Sequence, residues 1–411
     1  MNFELFIAKR IIAGKEYKNS ISSPIIKIAT SAIALGVIIM LIAISTGTGL
    51  QKKIREKMAG FKGHIQIVNY DNNNSEVSVV PINKNQEFYP NFSTVSDIKN
   101  IQIFASKGGV LRTKKDFEGI VFKGVSLDYD WSFFQEYMIE GRIPNLNLLR
   151  TKEVLLSKTV VDRLHLKLND TILSTYIKNT GSKLPSNRKY TIVGIYNTGF
   201  AQFDKSVMIG DIREVQRLNK WTKNQVGGFE VLLNDFEEIQ EKGNQIYNNI
   251  GAELNSKTIV ESYPTIFEWI NLFDNNILFI IVIMVLIASI NMITALLVLI
   301  LERVQMIGVL KALGGNNWSV RKIFLYNATF LVLKGLFWGN IIGLSILFIQ
   351  EYTGVITLDP ETYYVSKVPV YINFFTVFML NIGTLFLCFL MLLIPSYIIT
   401  KISPIKSIKF T

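Results

Sequence analysis

Four long runs of apolar residues divide the chain. They cover residues 25–50, 276–301, 323–349 and 374–400. A helix that crosses a bilayer needs about 20 mostly apolar residues, so each run predicts a transmembrane helix. The first run is longer than the roughly 7–15 apolar residues at the centre of a signal peptide, which favours an uncleaved helix.

A segment of mixed pattern, residues 51–275, separates the first two runs. Alternating apolar residues predict strands at 64–68, 153–157, 189–197 and 228–235, and helical spacing follows at 158–166 and 236–250. This order differs from the regular strand–helix alternation of a parallel α/β fold. The predicted fold class is therefore a membrane protein, α-helical with four transmembrane helices, plus an α+β extracytoplasmic (periplasmic) domain between helices 1 and 2.

The distribution of charge predicts the orientation in the membrane. Lysine and arginine collect in residues 1–24, in the 302–322 link and in the 401–411 tail, whereas the 350–373 loop carries three acidic residues and one lysine. By the positive-inside rule both termini and the link are cytoplasmic, and the 350–373 loop is periplasmic. The net charge of +11 is then explained by the membrane edge, and we predict no nucleic-acid partner.

The sequence carries no recognisable catalytic motif. It contains no Walker A pattern, no H-E-x-x-H and no G-x-S-x-G. Its single cysteine, Cys388, lies in an apolar run, and His64 and His165 lie in unrelated segments, where an ordinary polar role is favoured over metal binding. We predict no catalytic, cofactor-binding or metal-binding residue, so energy for any driven process must come from a partner.

The N-terminal segment, residues 1–24, begins with an amphipathic pattern. Apolar and basic residues recur there at helical spacing: Phe3, Phe6, Ile7, Arg10 and Ile11. This pattern is typical of a helix that lies in the membrane interface, with a frayed terminus as the alternative.

The 302–322 link carries an apolar stripe outside the predicted membrane runs. Val304, Ile307, Leu310 and either Ala312 or Leu313 repeat at steps of three and four residues. The glycine pair 314–315 can end this helix, and an asparagine at 316 or 317 can cap the next one. Periodicity alone leaves two interpretations open: docking into a partner groove, or packing against the chain's own helices.

The third run carries small residues at every fourth position, namely Gly335, Gly339 and Gly343. Such a strip lets two helix backbones approach closely, within one subunit or between subunits. Lys334 beside the strip is costly in the membrane unless it snorkels or pairs. Asn291 and Asn340 are candidates for hydrogen bonds between helices.

Together these segments resemble the permease subunits of lipoprotein-releasing ABC transporters, the LolC/LolE type, within the wider group that includes MacB and FtsX. The resemblance rests on FIAKR with the first run and its GHI exit, on EGRIP, on VLLSKTVVDRLHLKLNDTI, on IVGIYNTGFAQFDKSVMI, on ERVQMIGVLKALGGNNWSVRKIFLYNA and on ETYYVSKVPV. Asn169 stands where the family usually has glycine. The motif order and the one-plus-three layout of runs cover nearly the whole chain.

This resemblance implies a set of partners in the inner membrane of a Gram-negative bacterium. Two copies of a LolD-like ATPase subunit would carry ATP and Mg, while this chain binds no cofactor directly. A second permease copy, identical or paralogous, membrane lipid, a lipoprotein substrate and a LolA-like periplasmic carrier complete the set. The alternative is mechanotransmission in the manner of MacB or FtsX, acting on efflux or cell-wall hydrolase partners.

The resemblance also implies roles for particular residues. It favours docking for the link, as a coupling helix whose candidate ATPase contacts are Arg303, Met306, Ile307, Leu310, Lys311 and Leu313. It places the acyl chains of the cargo between helices 1 and 2 of the two subunits, with candidate residues Met40, Ile44, Ile283 and Ile287. The stretch matching the carrier-binding hairpin carries Lys178, Lys183, Pro185 and Arg188, with an ordinary loop as the alternative.

Overall fold

The computed structural model describes residues 3–13, 22–72, 75–148, 151–176 and 185–403. These residues form two compact units. The helical unit comprises the described residues of Met1–Leu50, Trp269–Ile356 and Val368–Thr411. The sheet unit comprises those of Gln51–Glu268 and Thr357–Lys367. Part of the predicted 350–373 loop therefore belongs to the sheet unit.

Helices account for nearly all of the helical unit and for the connections of the sheet unit. In chain order they are α1 Phe3–Ala13, α2 Ser22–Lys62, α3 Ser132–Glu136, α4 Lys158–Arg163, α5 Ala201–Asp204, α6 Ile212–Asn219, α7 Ile239–Asn249, α8 Ile259–Ser262, α9 Pro264–Glu302, α10 Val304–Ala312, α11 Asn317–Thr353, α12 Pro360–Tyr363, α13 Phe374–Ser396 and α14 Ile398–Lys401.

Every strand among the described residues lies in the sheet unit. They are β1 Ile65–Asn69, β2 Ile82–Asn83, β3 Ile98–Arg112, β4 Phe117–Val125, β5 Met138–Gly141, β6 Glu153–Ser157, β7 Thr171–Tyr176, β8 Ser186–Tyr196, β9 Val207–Asp211, β10 Gln225–Val226, β11 Gly228–Leu233 and β12 Leu254–Thr258. The predicted α+β class of this segment is confirmed.

Six of the strands close into a ring. β3 pairs with β4, and the pairing continues through β9, β6, β8 and β7 back to β3. β11, β1 and β12 extend the sheet from β3, and β5 is added to β8. Ring closure leaves fewer open strand edges. The absence of a side chain at Gly109 leaves room for the buried Tyr176 ring of β7, since a methyl group there would lie 2.6 Å from that ring.

Four helices are long and apolar enough to cross a membrane among the residues that the structure describes: α2, α9, α11 and α13 together with α14. The helix α2 has 41 residues, or roughly 60 Å at 1.5 Å per residue. That is about twice the thickness of a bilayer's hydrocarbon core. The helix continues past the apolar run because Ile54, Met58 and Phe61 keep a helical spacing and are buried.

The end of α2 is fixed inside the sheet unit. Gly63 has a φ of +70° and donates its N–H to the carbonyl of Ala59 at 2.7 Å, a common way to end a helix. The Lys123 ammonium donates to the Phe61 carbonyl at 2.5 Å and to the buried Glu230 carboxylate at 2.8 Å. The last turn of α2 is therefore held by a buried ion pair.

The predicted N-terminal helix α1 is present and packs on α11. Ala8 is buried, Ile7 and Ile11 pack against the core of the helical unit, and Phe3 and Phe6 are exposed. The small Ala8 side chain permits close packing, and the Ser319 hydroxyl donates to the Glu4 carboxylate at 3.0 Å. The helix thus exists as predicted, and the position of its exposed phenylalanines in the membrane interface stays a prediction.

Candidate coupling site

The short helix α10 lies between the two long helices α9 and α11, as the apolar stripe of the link predicts. Gly314 has a φ of +92° just after its end. The Asn316 side chain accepts the Ser319 N–H at 2.7 Å and so caps α11. The predicted glycine stop and asparagine cap are both confirmed.

The two faces of α10 have different surroundings. Ile307 is 0% exposed within the core of the helical unit, and Met306 and Leu310 pack partly against the same core. Leu313 is 80% exposed. The apolar stripe is therefore wider than one face: its inner part packs against the chain's own helices, and docking of its exposed part into a partner stays a prediction. The prediction that Ile307 contacts a partner is wrong, because the chain's own helices enclose its side chain.

The outward face of α10 follows helical spacing. Four exposed residues occupy it at steps of four, three and one: Gln305, Val309, Ala312 and Leu313. We call these four residues the coupling surface. Met306 and Leu310 lie at its border and are half-buried, so they can offer an incoming protein only part of their side chains.

The side chains of Lys311 and Arg303 are both partly buried. The Lys311 ammonium donates to the backbone carbonyls of Ile399 at 2.6 Å and Ile402 at 2.9 Å, and more weakly to that of Thr400 at 3.4 Å. Burial lowers the pKa of Lys311. Arg303 occupies the N-cap position of α10 and is half-buried. In this conformation the donors of Lys311 are taken up by the chain itself, and its contact with an ATPase stays a prediction.

Arg321, which sequence reasoning did not single out as a contact, lies near Lys311's partners. Its guanidinium donates to the Ser396 hydroxyl at 2.9 Å and the Leu393 carbonyl at 3.2 Å. The guanidinium carbon also lies 5.8 Å from the centre of the Tyr397 ring. The Leu393 carbonyl can receive Arg321 because it lies in the last turn of α13, which ends at Ser396. The sequence signal for a disturbed helix end here is Pro395.

The helix α2 packs against the three glycines of α11. A methyl group at Gly335 would lie 2.8 Å from the Ile33 Cβ, and one at Gly339 would lie 2.8 Å from the Val37 Cβ. At Gly343 the nearest atom would be a methyl of Leu41 at 3.0 Å. The glycine strip thus serves close packing between two helices of the same chain, one of the two uses that its spacing predicts.

Polar residues of the long helices also pair. Asn340 of α11 and Asn381 of α13 donate to each other's side-chain oxygens at 2.6 and 3.0 Å. This bears out the prediction for Asn340, while Asn291 is half-buried and Lys334 is exposed in the middle of α11.

The four residues predicted to line an acyl-chain cleft do not form one surface. Met40 is 1% exposed and belongs to the helical core, and Ile44 packs partly against it. On α9, by contrast, Ile283 is 50% exposed and Ile287 is also exposed. The prediction is wrong for Met40 in this conformation, because α2 turns that side chain inward. The exposed apolar face of α9 remains available.

The predicted carrier-contact hairpin is described only in part. Lys178 and Lys183 lie outside the described residues. Pro185 is exposed immediately before β8, and Arg188 lies in β8 opposite Ser174 of β7. The two described members thus lie at the end of the β7–β8 pair that adjoins residues 177–184.

The histidines have ordinary surroundings. The Nδ1 atom of His64 accepts the Leu233 N–H at 2.9 Å, and burial lowers the pKa of His64 to about 4. His165 is exposed with a φ of +53°. Within the described ranges, no group of three or more His, Cys, Asp or Glu side chains could hold a metal ion.

In the described part of the chain, an α+β domain follows the first of four long apolar helices, and a short helix lies between the second and the third. Comparison with known proteins identifies a permease of the ABC-transporter class. Residues 28–247 match the family model of the MacB-like periplasmic core domain, and residues 278–404 match that of the FtsX-like permease C-terminal region. The chain therefore belongs to the MacB-like periplasmic core domain family, and its place with the LolC/LolE-type permeases of the MacB/FtsX group is confirmed.

Individual relatives cover the whole length. The lipoprotein-releasing system transmembrane protein LolC of Neisseria meningitidis serogroup B is 21% identical over 100% of this chain and 99% of its own. The LolE protein of Haemophilus influenzae is 20% identical over 98% of each chain. The extracellular domain of the ABC-type transporter YknZ from Gram-positive bacteria is 15% identical and covers 40% of this chain and 83% of its own, at a TM-score of 0.29. That score is too low to support a fold assignment.

Proposed function

We propose that this chain is the permease subunit of an ABC transporter that releases lipoproteins from the inner membrane. The observation that carries the proposal is the end-to-end similarity to proteins named for lipoprotein release. Such similarity extends over the inserted domain and all four long helices, so it is not limited to one common module.

A separate ATPase is the proposed source of energy. The coupling surface is an apolar patch with a glutamine at one end, and such a surface suits the groove of a partner protein. We assign the contact to Gln305, Val309, Ala312 and Leu313, with Met306 and Leu310 at its border. ATP and Mg would bind to two LolD-like subunits, one beneath each of two permease copies, identical or paralogous.

The acyl chains of a lipoprotein determine how much free energy its release from the membrane requires. Each methylene of an acyl chain stabilises membrane insertion by about 0.8 kcal/mol, so extraction of whole chains needs repeated or concentrated input of energy. The exposed apolar face of α9, with Ile283 and Ile287, supports a chain-binding role beside a second permease copy. A LolA-like periplasmic carrier would receive the cargo.

The proposed orientation follows the positive-inside rule. Both termini and α10 face the cytoplasm, and the sheet unit faces the periplasm of a Gram-negative cell. Leu313→Cys and Phe117→Cys, each in a Cys388→Ala background and both at strongly exposed positions, test it with a membrane-impermeant thiol reagent applied to intact spheroplasts. The orientation predicts labelling at position 117 and protection at position 313.

Depletion in the native cell tests the function itself. Lipoproteins destined for the outer membrane should accumulate in the inner membrane when the chain is depleted, and fractionation followed by mass spectrometry measures this. Unchanged lipoprotein sorting would refute the proposal.

The alternative is mechanotransmission without lipid extraction, with which the matches to the MacB-like and FtsX-like family models are equally compatible. It uses the same coupling surface but a different periplasmic partner. Crosslinking in cells that returns a cell-wall hydrolase or an outer-membrane channel, and no lipoprotein, would support this alternative.

A further inference from the structure

The last long helix is broken close to its end. Pro395 lies inside α13, which ends at Ser396, and α14 restarts at Ile398. The last turn of any helix leaves carbonyl groups without helical partners, and here two helix ends follow each other within a few residues. The region from Leu393 to Ile402 therefore presents backbone carbonyls that need donors from elsewhere in the protein.

Two basic side chains supply these donors. Arg321, in the second turn of α11, donates to the Leu393 carbonyl, and Lys311 of α10 donates to the carbonyls of Ile399, Thr400 and Ile402. A lysine ammonium has three N–H donors, and here three carbonyls receive them. A positive charge beside the C-terminal end of a helix is also favourable, because that end carries partial negative charge.

This contact gives α10 a direct connection to a helix that is distant along the chain. The backbone links α10 to α9 and α11 immediately, but α13 and α14 follow only after the whole of α11 and the loop beyond it. A displacement of α10 reaches the first two helices through the chain itself. It reaches the end of the last helix directly only through side-chain contacts.

We propose that Lys311 is a positioning residue that ties the broken end of the last helix to α10, so that movement of α10 is passed to α13 and α14. The proposal rests on the assignment of α10 as the coupling helix of an ATP-driven permease. Lys311 thus acts inside the subunit, and the coupling surface on the opposite face of α10 remains the contact with the ATPase.

The tie itself can be measured without any transport assay. A spin label is placed on Lys401→Cys in a Cys388→Ala background, and the purified full chain is studied by electron paramagnetic resonance. Lys311→Met keeps the length of the side chain but removes its donors, so the label should become more mobile. Lys322→Met, on the neighbouring helix, is the matched control and should leave the spectrum unchanged. Equal label mobility in Lys311→Met and the unsubstituted chain would overturn the tie.

Transport by the complete complex in lipid nanodiscs tests the positioning role. Lys311→Met should keep its ATPase subunit and its ATP hydrolysis, but lipoprotein release per ATP should fall at least fivefold. Lys311→Arg should recover part of the loss, because a guanidinium can donate to the same carbonyls. Lys322→Met should stay within twofold of the unsubstituted complex.

Two results would overturn the positioning role. One is normal release per ATP in Lys311→Met, and the other is loss of the ATPase subunit from that variant, which would make Lys311 a partner contact. If the unsubstituted complex releases no lipoprotein at all, the proposed function fails instead, and the spin-label comparison still decides whether the tie exists.

Discussion

At the scale of single residues, the sheet unit contains two buried ionisable groups whose pKa values shift in opposite directions. Burial lowers the pKa of Lys57 to about 8 and raises the pKa of Asp204 to about 6. The Lys57 ammonium donates to the Tyr364 carbonyl at 3.0 Å. The Asp204 carboxylate accepts from the Thr198 hydroxyl at 2.7 Å and the Gly199 N–H at 2.9 Å. Both groups thus lose hydration but keep specific partners.

These shifts predict how the stability of the folded protein depends on pH. The pKa of Asp204 rises from 3.8 to about 6 on folding. Its contribution to the stability of the folded protein is therefore fully present below pH 3.8 and is lost as pH rises through 6. The pKa of Lys57 falls from 10.5 to about 8, so its contribution is present above pH 10.5 and is lost as pH falls through 8. For these two groups together, stability is lowest between about pH 6 and 8.

Asp204→Asn isolates the acidic part of this profile. The shift of Asp204 corresponds to about 3 kcal/mol of unfolding free energy between pH 4 and 7. Thermal unfolding of the purified protein in detergent should therefore show a flatter decline over that range in the variant. Asp162→Asn replaces an exposed carboxylate of the same unit and should keep the original slope. An identical slope in Asp204→Asn would show that Asp204 does not titrate in this range.

At the scale of elements, the packing of α2 on α11 depends on small side chains. A Cβ at Gly339 would lie 2.8 Å from the Val37 Cβ and 2.9 Å from the Ala34 carbonyl oxygen. Both neighbours belong to or lie close to the α2 backbone, so the helices must separate to admit a larger residue. The glycine spacing was readable from the sequence, but its partner helix was not.

Gly339→Ala should destabilise the protein by about 1 to 3 kcal/mol, the usual cost of overpacking a close contact. Gly383→Ala is the matched control, because a Cβ there meets no other atom within 4 Å. The midpoint of thermal unfolding in detergent should fall for the first variant and stay or rise slightly for the second. Equal midpoints would contradict the packing described for α2 and α11.

The helix α10 illustrates what periodicity can and cannot predict. The spacing of Ile307, Leu310 and Leu313 identified an apolar helix, and the glycine pair identified its end. Which side faces outward depends on helices distant in the sequence, so the inward position of Ile307 and the contacts of Lys311 with the chain's end could not be predicted. A proline at 395 beside basic residues was the available clue.

Leu313→Asp tests the outward face of α10. A carboxylate in the centre of an apolar contact is costly to bury, so the amount of ATPase that copurifies with the permease should fall at least tenfold. Val355→Asp, in an equally accessible position beyond the other end of α11, should leave copurification unchanged. Membrane insertion of both variants is checked by alkaline extraction. Normal recovery of the ATPase with Leu313→Asp would show that the coupling surface does not bind the ATPase.

At the scale of the whole molecule, length and pattern predicted the four long apolar helices and the α+β class of the inserted segment. The closure of the six-stranded ring could not be predicted, because β7 pairs with two strands that are remote from each other in sequence. The continuation of α2 beyond residue 50 was predictable in principle from the spacing of Ile54, Met58 and Phe61. The inclusion of part of the 350–373 loop in the sheet unit depends on tertiary contacts such as Lys57 with Tyr364, which no local pattern reveals.

The central claim is that this chain converts ATP hydrolysis by a separate subunit into lipoprotein release. The most direct measurement reconstitutes the permease with its copurifying ATPase in proteoliposomes that hold a fluorescent lipoprotein. The account predicts transfer of the lipoprotein to a soluble periplasmic carrier when ATP and Mg are added, and no transfer with Leu313→Asp or a non-hydrolysable nucleotide. Vigorous ATP hydrolysis with the lipoprotein still in the membrane would contradict it.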